Sequence, residues 1–62
     1  MDKTTRIINE RYIDRYLKLA DQCNVGCLAH TCKLGDWKVT LTGDYSDFIK
    51  LDTLYVDSFK TL

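Results

Sequence analysis

Sixty-two residues make one domain, 1–62, that buries only about 60% of the surface its unfolded chain exposes. Such a chain is too small to enclose much substrate, and it gains from a staple or a partner. With 45% hydrophobic and 29% charged residues, no proline and three glycines, it is globular and not disordered. Nine Lys/Arg balance nine Asp/Glu, which excludes the strong basic excess behind nonspecific phosphate binding.

The chain opens on a helix signal. In "TTRIINERYIDRYLKLADQC" the apolar residues Ile8, Tyr12, Ile13, Tyr16, Leu17, Leu19, Ala20 and Cys23 recur at three- and four-residue steps, the spacing of one helical face. Thr4 or Thr5 can cap the start. Asp14 and Lys18 form a favourable pair four residues apart. The expectation is one long N-terminal amphipathic helix. Two residues fit it poorly: Asn9 falls inside the apolar arc and Ile7 outside it. The arc spans roughly 180°, more than the ~100° a helix needs on one small sheet. Either the tail of the chain or a second copy has to cover the excess. Tyr12 and Tyr16 lie one turn apart on this face, and their hydroxyls suit the rim of a core or an interface. With Leu19 they are candidate partner-binding residues.

The next stretch, "CNVGCLAHTC", holds all three cysteines and the single histidine. Asn24 and Gly26 can take positive φ and end the helix. "GCLAHTCKLG" then reads as a connector, either a short helix closed by Gly35 or a loop. Cys23, Cys27, His30 and Cys32 are the right number and type of ligand for a closed tetrahedral Zn²⁺ site. On a continuous helix only Cys23, Cys27 and His30 share a face, so Cys32 joins only if the helix breaks. The alternative is packing, since free cysteines behave as small buried hydrophobes.

"DWKVTLTG" alternates, with Trp37, Val39 and Leu41 on one face and Lys38, Thr40 and Thr42 on the other, as a half-buried strand does. If Gly43 to Asp47 is a loop, Leu41 falls opposite Ile49 and Val39 opposite Leu51, giving a hairpin with one buried face. The tail also carries a helical stripe, Phe48, Leu51, Tyr55, Phe59 and Leu62. Its β-branched and aromatic residues favour strand to about Thr53, with a short uncertain element beyond. The expected architecture is therefore α+β: a long N-terminal helix packed on a β-hairpin, joined by the Cys/His connector.

The aspartates and aromatics of "DYSDFIKLDTLYVDSF" could fill a basic pocket of a partner, which makes Tyr45, Phe48 and Tyr55 further candidate partner-binding residues. No acid is placed to orient His30 against a cysteine, and no enzyme is expected. "LADQCNVGCLAHTCKLG" resembles a helix-turn-helix motif, with Asn24-Val25 at the turn, although His30 stands where the motif is apolar. That resemblance implies a compact winged DNA-binding regulator as the alternative function. The first reading is a small non-enzymatic protein-protein interaction module, a regulator or inhibitor that forms a homodimer. An odd cysteine count and a charged start, "MDKTTRIINERYIDRY", point to the cytoplasm and to no membrane.

Overall fold

The computed structural model describes residues 1–60, apart from the Lys33 side chain. The chain runs β1 (Asp2–Asn9), α1 (Ile13–Gln22), β2 (Gly26–Thr31), β3 (Asp36–Gly43) and α2 (Tyr45–Lys60). The strands form one antiparallel sheet in the order β1-β3-β2. Both helices pack on one face of that sheet. The result is a slab of 30 × 28 × 13 Å, as two layers require.

This arrangement overturns the expected long N-terminal helix on a hairpin. Residues 2–9 are a strand, and the helix begins only at Ile13. Thr4, Thr5, Ile7 and Ile8 are β-branched and stiff at χ1, which suits a pleated surface better than a helix. Alternation puts Thr4, Arg6 and Ile8 toward the helices, while Thr5 and Ile7 stay exposed. The two residues that disturbed the helical pattern mark the true boundary. Asn9 ends β1 by turning the chain: its Oδ1 accepts the Arg11 N–H at 2.9 Å and its carbonyl accepts the Tyr12 N–H at 2.9 Å, a local bond typical of Asn in turns.

α1 ends where Asn24 takes φ 59°, a left-handed conformation that asparagine tolerates. The supposed connector is then strand β2. It pairs with β3 from Gly26↔Thr42 to Thr31↔Trp37, so the real hairpin is β2–β3. Gly26 is there for close approach, because a Cβ would stand 2.6 Å from Thr42 Oγ1. The expected hairpin of β3 with residues 49–53 does not form. Residues 45–60 are one helix, and Ile49 is exposed, not opposite Leu41. The three-four spacing of Phe48, Leu51 and Tyr55 outweighs their strand propensity once β1 and β2 have taken both edges of β3. Leu62 of that stripe lies outside the described residues. Asp2 Oδ2 accepts the Tyr45 N–H at 3.0 Å, satisfying a first-turn donor of α2.

The core is Ile8, Ile13, Tyr16, Ala20, Cys23, Val25, Val39, Leu41, Phe48 and Leu51. The wide apolar arc of α1 is covered by α2, the tail of the same chain. The helices run antiparallel, with Tyr12 edge-on to Phe59 and Tyr16 edge-on to Tyr55, each pair at 4.9 Å. One polar network ties three elements together. Asp52 of α2 accepts from Arg6 Nη2 of β1 at 2.8 Å and from the Tyr16 hydroxyl of α1 at 3.0 Å. Among the described residues, no helix is long and apolar enough to cross a membrane.

Candidate functional site

The four candidate metal ligands are dispersed by the fold. Cys23 is buried at the end of α1, and Cys27 is half-buried on the helix-facing side of β2. His30 is three residues further along the same strand, and an odd step places it on the opposite face. Cys32 lies exposed in the turn after β2. Among the described residues no group of three His, Cys, Asp or Glu converges. The same strand parity separates Cys27 from His30 as a nucleophile and base. Burial pushes the Cys27 thiol above its ordinary pKa, so it is a weaker source of thiolate.

The residues resembling a recognition helix, from Gly26 to Thr31, form β2 instead. The helix-turn-helix resemblance thus loses the element that enters a groove.

Among the candidate partner-binding residues, Tyr16 and Phe48 are fully buried in the core. Burial, and then its hydrogen bond to Asp52, raise the Tyr16 pKa. Tyr12, Leu19 and Tyr55 are half-buried and pack against the core. Tyr45 alone of the six is exposed, leaning edge-on toward Phe48 at 6.4 Å. The structure does not bring these six together as a surface.

What it brings together instead is the face of the sheet away from the helices. The register places Thr5, Thr40 and Leu28 in one cross-strand row and Ile7, Lys38 and His30 in the next. Lys3, Thr42 and Gly26 form a third row. Ile7 and Leu28 are each 60% exposed, near the middle of this face. Lys3, Lys38 and His30 surround them, and the one carboxylate at an outward position, Asp36, sits at the end where it pairs with Asn9. Antiparallel sheets leave one face to water as a rule, but that face is then polar. Two open aliphatics flanked by two lysines and a histidine depart from the rule.

Two grooves are found among the described residues, and both are open. One holds about 380 Å³ along α2, lined by Ile49, Asp52, Thr53, Val56, Asp57 and Lys60. The other lies at one end of the slab, with Met1, Asn24, Gly26 and Asp44 among its walls. Neither shields a reaction from water. The sheet face was missed in the sequence, yet it left a trace: Ile7 stood outside the helical arc.

No family model, curated protein or solved structure matches the chain.

Proposed function

We propose that this chain is a non-enzymatic docking module that acts on another protein as a small regulator or inhibitor, with the bare sheet face as its contact surface. The carrying observation is that Ile7 and Leu28 stand open on a face that the chain's own helices leave uncovered. Covering each would contribute roughly 1–2 kcal/mol. Lys3, Lys38 and His30 around them select a partner with acidic groups at its rim. The face holds no Phe, Tyr or Trp ring, and its one imidazole, His30, is not a platform for successive bases, which favours a protein over a single-stranded nucleic acid. Three unpaired thiols, Cys32 among them exposed, fit a reducing cytoplasm.

The test is a photo-crosslinking amino acid placed at position 28, with position 50 on α2 as control, in the native cells. The expected result is one protein captured from position 28 and not from 50. With that protein purified, Leu28→Asp should weaken binding at least tenfold and Lys50→Ala should leave it unchanged. Equal binding by Leu28→Asp would end this reading.

A further inference from the structure

Of the sheet's two edges, β1 is the longer, eight residues against six for β2. Its pairing with β3 runs unbroken from Asp2↔Gly43 to Asn9↔Asp36, and it contains no proline. Edges are commonly blunted by shortness, a bulge, a proline or charged side chains; of these β1 has only charges, among them Lys3 and the helix-facing Arg6, and the Arg6 guanidinium is drawn off to Asp52. Which of its backbone groups face outward follows from the ladder. The Glu10 N–H donates to Gly35 O at 2.8 Å, one step beyond the last pair and in register with it. Antiparallel bonding alternates, so even residues of β1 bond to β3, and Lys3, Thr5 and Ile7 turn their N–H and C=O to the open edge. The Thr5 carbonyl agrees, accepting Arg6 Nη1 at 3.2 Å.

The groove on α2 runs beside this edge, because Asp52 both lines it and holds Arg6 of β1. Ile49 and Val56, both exposed, supply its apolar part. Edge and groove together make a strip with open backbone bonds on one side and aliphatic side chains on the other.

We propose that a second copy of this chain occupies the strip, the two β1 strands pairing antiparallel about a two-fold axis at Thr4 to give one continuous six-stranded sheet. Charge selects the register. With the axis at Thr4, Asp2 of each copy faces Arg6 of the other, and Lys3 faces Thr5. Asp2 gives one oxygen, Oδ2, to the Tyr45 N–H, which leaves Oδ1 for the incoming guanidinium. With the axis at Thr5, Asp2 faces Ile8 and Lys3 faces Ile7. With the axis at Arg6, two guanidiniums face each other. Intermediate registers set helix-side residues against outward ones. The Thr4 register lets Lys3 and Thr5 exchange about four backbone hydrogen bonds between the copies. The bond from Arg6 to the Thr5 carbonyl is given up in exchange.

Self-association through the bare sheet face is disfavoured by comparison, since it sets Lys3 and Lys38 of both copies against their own kind. A strand of this length with its flanking groove buries on the order of 1,000 Å², close to the lower bound for a specific interface. The dimer therefore dissociates on dilution. It leaves both bare faces open and side by side, and it stands or falls independently of what docks there.

Sedimentation velocity from micromolar to about 1 mM tests the pairing. Wild type should pass from one chain to two. Thr5→Pro removes an N–H that faces the edge and leaves the even-numbered bonds to β3 intact, so the fold should persist, seen by circular dichroism, while association weakens at least tenfold. In a Cys32→Ser background, Thr4→Cys should cross-link to a covalent dimer on mild oxidation, because the axis brings the two Cα atoms to about 4.5 Å. Ile7→Cys in the same background should not. A single chain at every concentration, a dimer that survives Thr5→Pro, or cross-linking as fast from position 7 as from position 4 would each overturn the proposal. If Thr5→Pro fails to fold, the two cysteine variants decide.

Discussion

Ile7 and Ile8 are the same side chain at adjacent positions of β1, yet Ile8 is 6% exposed and Ile7 60%. One points at the helices and the other away from them. The contrast continues across the sheet: Val39 and Leu41 of β3 are fully buried, while Leu28 of β2 is open. Side-chain type does not distinguish the two sets, since all are β-branched or aliphatic. Parity along the strand does, together with which side α1 and α2 settle on. The helix-facing side carries the stability of the domain. The other side is free to carry something else, and substitutions should separate the two.

The largest expected effect is on the covered side. Leu41→Ala removes a fully buried side chain between Cys27 on β2 and Thr4 on β1, and should cost about 3 kcal/mol. In so small a domain, with a stability on the order of 5 kcal/mol, that brings the chain close to unfolding at 37 °C. Thr40→Ala, one residue back and on the opposite face, should stay within ~0.5 kcal/mol. Urea denaturation of the pair measures the difference, and equal losses would mean the two faces are not distinct.

How much of this was legible in the sequence depends on the element. The alternation of Trp37, Val39 and Leu41 was clear because β3 is the central strand, packed on one side only. β1 was hidden because Ile8 continues the spacing of Tyr12, Ile13 and Tyr16 across a turn that has no glycine or proline to announce it. α2 was hidden because Ile49, Thr53 and Val56 are β-branched, and only the stripe of Phe48, Leu51 and Tyr55 opposed them. The Cys/His cluster read as a site because its residues are close in sequence, and strand parity then divided Cys27 from His30. The bare sheet face could not be assembled without the strand order, whatever trace Ile7 left. Its residues come from three strands, and Ile7 and Leu28 are brought to one face only when β3 enters between β1 and β2.

The second prediction concerns the polar tie beneath the covered face. Tyr16→Phe removes the hydroxyl that donates to Asp52 at 3.0 Å and should cost about 1.5 kcal/mol. Its pH dependence is more telling. Burial raises the Tyr16 pKa above the ordinary tyrosine value of 10.0, so the folded chain holds this proton more tightly than the unfolded one. The stabilisation is complete below pH 10 and is lost as pH climbs beyond it. Wild type should therefore lose stability steeply on the alkaline side, and Tyr16→Phe should flatten that slope. Some slope should remain, because burial also raises Tyr55. An unchanged alkaline slope in Tyr16→Phe would show that another group sets it.

Leu34 belongs to neither face. It sits in the turn between β2 and β3 at φ 64°, ψ 31° and is 97% exposed. A branched side chain in the left-handed region is strained, and at this exposure no packing compensates. Leu34→Asn should stabilise the domain by about 1 kcal/mol, since asparagine accepts that conformation. A rise in Tm of several degrees is the readout, and a fall would place Leu34 under a contact that the hairpin requires.

The smallest expected effect is the sharpest test of the comparison. Ile7→Thr and Leu28→Thr keep strand-compatible side chains on the open face while removing its apolar surface. At micromolar concentration each should change stability by no more than ~0.5 kcal/mol, because the folded chain leaves most of each side chain in water. Ile8→Thr, by contrast, places a hydroxyl in the core and should cost about 2 kcal/mol. The adjacent pair then reports directly on coverage, with residue type held constant. If Ile7→Thr costs as much as Ile8→Thr, something covers both faces even in dilute solution. If it costs nothing, Ile7 contributes nothing to the isolated fold, and its place beside Lys38 and His30 has to be explained by what it meets outside the chain.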